Sequence, residues 1–209
     1  MKKTWLTLGI VGASLLVLGL ILWSILDNHY VADVTVNRSF TVDIPFESFR
    51  KIMVRTDAAR DIMNAGEESS LVSQHWNGHS FHLDRISLTN PDWDIEANGT
   101  LKVRINNHYL GSQVARFNQQ VTIKPNLIYS VVSLEKPQGK LLGYKVTLNM
   151  SGENGKSQIT QSLNLKILTP APWFAHWFAR IRVRISARQT LRAQEKHIQE
   201  AIAKHRGQY

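Results

Sequence analysis

The stretch PAPWFAHWFARIRVRISARQTLRAQEKHIQEAIAK, residues 170–204, decides the fold. Pro170 and Pro172 favour a helix start, because proline is accommodated in the first turn of a helix. Large apolar residues then recur at steps of three and four over about eight turns of 3.6 residues. They are Phe174, Trp177, Phe178, Ile181, Ile185, Leu191, Ile198 and Ile202. The spacing predicts one long amphipathic helix whose apolar stripe covers another element.

The residues upstream of this helix carry the alternating pattern of antiparallel strands. A strand ending near Ile44 precedes two predicted short helices, the first opening at Pro45 and the second running from Thr56 to Gly66. Asn77-Gly78 is the strongest short hairpin signal and predicts a turn between two strands. Further alternating runs, centred near residues 103, 119, 130, 145 and 163, are separated by turns such as Lys124-Pro125-Asn126 and Glu153-Asn154-Gly155. We expect a curved antiparallel sheet of about seven strands wrapped around the C-terminal helix, an α+β fold.

An apolar run without charges precedes the domain. Trp5 to Leu26 is twenty-two residues long, enough to cross the ~30 Å hydrocarbon layer as a helix. Lys2 and Lys3 precede it, and the positive-inside rule then places the N-terminus in the cytoplasm. A cleaved signal peptide is the alternative, but Trp23-Ser24-Ile25-Leu26 offers no A-x-A-like site. We expect residues 1–28 to be anchor and 29–209 to be one domain, in a single-pass protein of a bacterial inner membrane with the domain periplasmic or extracellular.

Composition limits the chemistry and the partners. The chain has no cysteine, which excludes disulfides and thiolate metal sites. Of its net charge of +9, most lies between Arg180 and Arg206, where eight Lys or Arg face two Glu. This basic stretch predicts an acidic partner or anionic lipid near the C-terminal helix, or a solvated basic face. We expect no nucleic acid as partner of a domain outside the cytoplasm.

The order of elements resembles the START-like helix-grip superfamily, also called SRPBCC. The stretches Tyr30-Val31, Asn37-Arg38-Ser39-Phe40-Thr41-Val42 and Ile44-Pro45-Phe46-Glu47-Ser48-Phe49, after a Lys-Lys start and one spanning helix, look like its membrane-anchored members, labelled polyketide cyclase/dehydrase-like. Thr56-Asp57-Ala58-Ala59-Arg60 departs from those members, which often carry tryptophan and proline there. The resemblance implies a cavity between sheet and long helix that binds an apolar or amphipathic molecule, with catalysis in only some relatives.

Four residues are candidates for binding such a ligand. Arg188 falls near the middle of the helical apolar stripe, and Glu195 lies close to the same face. The two either line a pocket and meet a ligand's polar end, or form ion pairs with each other or with the sheet, or lie on a helix end that projects past the sheet. Tyr144 and Trp177 combine an aromatic body with a polar tip, which suits amphipathic ligands as well as an ordinary core. We expect no cofactor and no metal site: across a hairpin at Asn77-Gly78, His79 would point away from His75 and His82.

Three functions fit these features. The leading one is a membrane-anchored domain that binds a hydrophobic or lipid-like ligand without catalysis. A cell-envelope assembly or scaffold protein with a solid core is the second. A cyclase/dehydrase-type enzyme, with Arg188 and Glu195 in acid-base roles, is the third, although no nucleophile with its base is evident.

Overall fold

The computed structural model describes residues 14–19, 21–22, 29–55, 62, 69–82, 94–107 and 110–205. Seven strands, two helices and one short 3-10 helix have both ends within these ranges. They are β1 (His29–Val42), α1 (Phe46–Arg55), β2 (Ser69–His82), β3 (Asp94–Asn107), β4 (Gly111–Lys124), β5 (Leu127–Leu134), β6 (Leu141–Glu153), β7 (Lys156–Pro170), the 3-10 helix Trp173–Ala175 and α2 (His176–His205).

The seven strands form one antiparallel sheet in the order β1-β7-β6-β5-β4-β3-β2. Sequential strands β2 to β7 are therefore a meander, and β1 joins the far edge by pairing with β7. The predicted turn at residues 153–155 is confirmed: Asn154 and Gly155 both have positive φ, at 51° and 75°, as a two-residue hairpin turn requires. The turn predicted around Pro125 likewise joins β4 and β5.

The predicted hairpin at Asn77-Gly78 is wrong. Residues 69–82 form one strand, β2, which pairs with β3 throughout, and the register shifts between Trp76 and Gly78. The Asn-Gly pair therefore serves a β-bulge within the strand. The Trp76 ring lies so close to Gly99 that a Cβ there would come within 2.8 Å of it, so the long pairing depends on that glycine.

Helix α2 packs mainly against β1 and β7 among the strands, and α1 contacts β6, β7 and α2. The buried residues of α2 are Val183, Ala187, Leu191, Ile198, Ala201, Ile202 and His205. The long helix thus covers one half of the concave face of the sheet. Ile128 of β5 still joins the buried cluster that contains Ile198 of α2, whereas Leu101, Ala115 and Phe117 of β3 and β4 form a separate buried cluster.

The apolar stripe predicted on this helix is buried in one part and exposed in the other. Leu191, Ile198 and Ile202 face the sheet as expected. The five residues before them are exposed, by 43% to 65%: Phe174, Trp177, Phe178, Ile181 and Ile185. The expectation that the whole stripe covers the sheet is wrong, because the small residues Val183 and Ala187 on the opposite side of the helix make that contact.

Two expectations fall largely outside the described residues. The second short helix, from Thr56 to Gly66, is one of them, and most of the anchor Trp5 to Leu26 is the other. Residues 14–19 and 21–22 of the anchor are helical and exposed. Within the described ranges, no helix combines the length and the hydropathy that a membrane crossing needs.

Candidate functional site

A polar layer divides the apolar interior between sheet and helix. On one side lies a cluster built around Phe49, Met150, Ile159 and Ile198. On the other side a second cluster includes Val36, Leu163, Val146 and Leu191. The register row between the clusters pairs Arg38 of β1 with Gln161 of β7, and Gln161 with Leu148 of β6. Helix α2 passes this row at Gln194 and Glu195, halfway between Leu191 and Ile198.

Gln161 is the most unusual member of the layer. Its side chain is fully buried, and neither its amide nitrogen nor its amide oxygen has a hydrogen-bond partner among the described residues. Leaving one buried polar group unpaired costs about 1–3 kcal/mol. Nearly all such groups in native proteins are paired, so a bound molecule or an ordered water is the expected partner.

Glu195 is held at the edge of the layer by the sheet. Its carboxylate accepts a hydrogen bond from Nε of Arg38 on the edge strand β1, and the two form an ion pair. The side chains are 16% and 36% exposed, respectively. Of the interpretations open for Glu195, the pairing with the sheet is the one present, and it fixes the middle of α2 to β1.

Tyr144 lies on the inner face of β6, directly opposite Leu165. Burial raises the pKa of its hydroxyl to about 12, and a hydrogen bond with the Gln194 side chain opposes that rise. The other amide atom of Gln194, Oε1, is buried without a partner within the described ranges. The Tyr144 ring also meets Phe117 edge-on, with centroids 5.4 Å apart. Tyr144 therefore joins the polar layer to the half of the sheet that the helix leaves uncovered.

Beyond the buried cluster of Leu101, Ala115 and Phe117, the inner face away from α2 is only partly covered and mixes apolar with polar side chains. Alternation from the buried Phe117 places Gln119 and Val121 of β4 inward, opposite Val132 and Ser130 of β5. These four are only half-buried. Gln74 on β2 donates a hydrogen bond from Nε2 to Oε1 of Gln119, at 2.9 Å. Apolar walls with a few polar groups are typical of small-molecule sites.

The structure separates the four predicted binding residues. Tyr144 and Glu195 lie at the interior layer. Arg188 and Trp177 are exposed on α2, away from the sheet, so neither lines the interior. A groove of about 420 Å³ does involve Trp177, with Tyr30, Arg180, Ile181 and Arg184, but it opens beside the first turns of α2. A second, of about 270 Å³, is polar and shared by outward residues such as Asn98, Asn118 and Gln120.

Gln194 and Arg38 were not among the candidates that the sequence suggested, whereas Gln161, like Gln119, falls within an otherwise apolar strand face and would need a partner if buried, in a cavity or at a wet edge. A glutamine inside the apolar alternation of β7 was the available signal for Gln161. Nothing in the sequence links Arg38 to Glu195, which lies 157 residues away. The side-chain amides of Gln161 and Gln194 can donate hydrogen bonds to a ligand or accept them from it, and neither is a base or a nucleophile. The arrangement is suited to binding.

No group of three or more potential metal ligands is present among the described side chains. The prediction of no histidine metal site depended on a hairpin at Asn77-Gly78, and β2 is instead continuous through these residues. His75 is exposed, while the side chains of His79 and His82 are outside the described part. The expectation of no metal therefore stays a prediction.

A seven-stranded antiparallel sheet closed around one long C-terminal helix defines the helix-grip fold, and this chain has it. No known family profile matches the sequence, and no curated protein does either.

Solved structures do share the fold. The Zhui aromatase/cyclase of a Streptomyces species matches with a TM-score of 0.50 at 8% identity, over 83% of this chain and 95% of that chain. An uncharacterised protein from Rhizobium leguminosarum matches at 0.49 and 10%, over 85% and 99%. A START superfamily protein from Mycobacterium smegmatis matches at 0.46 and 14%, over 81% and 97%. At 8% identity the similarity to the Zhui aromatase/cyclase shows the fold alone, and the other two matches, which are weaker by TM-score, add nothing to it.

Proposed function

We propose that this domain binds a hydrophobic or amphipathic small molecule between α2 and the inner face of β2 to β6. The observation that carries the proposal is Gln161, a fully buried amide with no described partner inside an apolar interior. The unpaired Oε1 of Gln194, and the Tyr144 hydroxyl that is hydrogen-bonded to the Gln194 side chain, are further polar groups of the interior. An amphipathic ligand would place its apolar part on the half-buried wall around Val132 and its polar end near these amides.

Binding without catalysis is the simplest use of this arrangement. The polar groups of the layer are amides, one phenol and one paired carboxylate, and the phenol is held neutral up to high pH by its raised pKa, about 12. A general base needs a pKa near the working pH. The proposal therefore includes no chemical step.

Co-purification tests the proposal directly. The full chain is extracted in detergent and measured by native mass spectrometry for a bound small molecule, and the dye 1-anilinonaphthalene-8-sulfonate is titrated as an apolar probe. We expect a co-purifying mass and saturable dye binding. Recovery of ligand-free protein that does not bind the dye would overturn the proposal and favour a scaffold with a solid core.

A matched pair of variants locates the site. Val131 and Val132 are neighbours on β5, both half-buried, and point to opposite faces of the sheet. Val132→Trp should fill the inner space and weaken dye binding roughly tenfold or more, a loss of about 1.4 kcal/mol or more. Val131→Trp should leave binding unchanged. Equal binding by both variants would show that the dye sits elsewhere.

Gln161→Leu provides a second test that does not depend on overpacking. Removing an unpaired buried amide should raise the free energy of unfolding by about 1–3 kcal/mol. The same change should reduce retention of the co-purifying ligand, because its polar end loses a partner. A destabilised variant that retains the ligand fully would contradict the role given to Gln161.

We further propose that Trp5 to Leu26 tethers the domain to a membrane, with the domain outside the cytoplasm. The length of the charge-free run and the lysines before it support this. A reporter fused after Tyr209 should be active outside the cytoplasm and inactive inside it. The reverse activity would overturn the orientation.

A further inference from the structure

The first half of α2 and the turn before it present a large apolar surface to solvent. We call it the outer aromatic face: Trp173, Phe174, Trp177, Phe178, Ile181 and Ile185, which are 43% to 68% exposed. Single exposed apolar residues are ordinary, but a contiguous patch with this many aromatic rings marks an interaction surface. The rings pack in edge-on pairs, Trp173 with Phe174 and Trp177 with Phe178, at centroid distances of 5.9 and 5.8 Å.

Exposed arginines flank this face, and the stretch of chain that carries it contains no acidic residue. Arg180, Arg182, Arg184, Arg188 and Arg192 are all exposed, and residues 154–194 contain no Asp or Glu. The Arg182 guanidinium lies 5.9 Å from the centre of the Phe178 ring. Trp, Phe and Ile flanked by arginine are the composition of helices that lie at the surface of an anionic bilayer.

The fold places this face where the apolar N-terminal run enters the domain. His29, the first residue of β1, is the register partner of Pro170, three residues before Trp173. Tyr30 stacks on His176, the first residue of α2, with ring centroids 4.0 Å apart. The 420 Å³ groove bounded by Tyr30, Arg180 and Arg184 lies at the same junction. A tether in a bilayer would therefore hold the outer aromatic face at the bilayer surface.

We propose that the outer aromatic face docks on the same membrane, with its rings and isoleucines among the acyl-chain boundary and its arginines on the phosphates of anionic lipids. The inference rests on the proposed tether and is independent of the interior ligand. It gives the domain a fixed orientation on the membrane. A protein partner is the other class of occupant, and it would keep these side chains out of lipid.

Site-directed labelling tests the docking, since the chain has no cysteine. Ile181→Cys and Gln199→Cys are made separately in the full chain and spin-labelled. The two positions are eighteen residues apart, five full turns, so they share one side of α2 and lie ~27 Å apart along it. The probe membranes are vesicles of phosphatidylglycerol with phosphatidylcholine, and vesicles of phosphatidylcholine alone.

We expect the label at position 181 to lie about 5–10 Å below the headgroups in phosphatidylglycerol vesicles, by its accessibility to oxygen against a water-soluble nickel complex. The label at 199 should stay in water. Phe174→Gln with Phe178→Gln should return the label at 181 to water, whereas Val114→Gln, an exposed apolar position on β4, should not.

The possible results separate the docking, the arginine contacts and the tether from one another. A label at 181 that is aqueous in a chain that co-sediments with vesicles would overturn the docking and leave the tether standing. Insertion that is equal with and without phosphatidylglycerol would overturn the role of the arginines as anionic-lipid contacts. A chain that does not co-sediment at all would overturn the tether and the docking together.

Discussion

The two halves of α2 use their apolar residues in opposite ways. The half from residue 191 onward buries its large side chains Leu191, Ile198 and Ile202 and exposes Lys196 and Gln199, as in an ordinary core helix. The half before it buries small residues and exposes Trp177, Phe178, Ile181 and Ile185. The comparison teaches that an apolar stripe of continuous spacing can divide, with one end buried in the protein core and the other end exposed as the outer aromatic face.

Truncating one isoleucine in each half measures this difference directly. Ile198→Ala should lower the free energy of unfolding by about 2–4 kcal/mol, because it opens a cavity in the cluster with Phe49 and Met150. Ile185→Ala should change it by roughly 0.5 kcal/mol or less, as expected of an exposed position. Urea unfolding of the detergent-solubilised full chain provides both values. Equal losses would mean that the two halves share one core.

The sequence predicts the main elements of this molecule, an antiparallel meander followed by one long C-terminal helix. Pro170 ends β7 and Pro172 caps the 3-10 helix that leads into the long helix at His176, and period-two alternation predicts the meander of strands. Both signals are local, since they depend on steric preferences and on which residues share a face. The hairpin predicted at Asn77-Gly78 was wrong because residues that favour a tight turn also suit a β-bulge. The pairing of β2 with β3 around Gly99, which is distant in sequence, decides between the two.

The candidate site was less predictable, for a physical reason. Periodicity shows that Phe178, Ile185 and Arg188 share one side of a helix, but it does not show what covers that side. The register between β1 and β7 brings Arg38 to Gln161, and helix placement brings Glu195 to Arg38. These contacts join residues more than a hundred positions apart, and no local pattern contains them. The inward position of Tyr144 follows from alternation along its strand, which is a local signal, and its role in binding stays a prediction.

The pH dependence of stability tests whether the Tyr144 hydroxyl is buried. Its folded pKa is about 12, above the ordinary value near 10, so folding favours the neutral phenol. Below about pH 10 the phenol is neutral in both states, and its contribution is constant. Between about pH 10 and about pH 12 the unfolded chain releases this proton first, so stability should fall by about 1–2 kcal/mol more than in Tyr144→Phe.

The measurement is the difference in unfolding free energy between the wild type and Tyr144→Phe as a function of pH. Other ionisations cancel in this difference to first order. A difference that stays constant through the alkaline window would show that the Tyr144 hydroxyl is hydrated, and would place the interior layer in contact with bulk water.

The smallest expected effect belongs to the ion pair that fixes the middle of α2 to β1. Glu195→Gln keeps the shape and a hydrogen-bond acceptor for Arg38, and it removes only the charge. Because Arg38 is 36% exposed, water can replace part of the lost attraction, and the desolvation cost of Glu195 disappears at the same time. We expect a loss of about 1 kcal/mol or less, well short of the ~3–5 kcal/mol for breaking a fully buried pair.

Glu200→Gln is the matched control on the same helix, since Glu200 pairs with Lys196 at 3.7 Å and with His197 at 3.3 Å on an exposed surface. Its loss should be near zero. If Glu195→Gln instead cost as much as Ile198→Ala, the polar layer would be a structural element that holds the helix on the sheet. The unpaired amide of Gln161 beside it would then remain the feature of this layer that calls for a ligand.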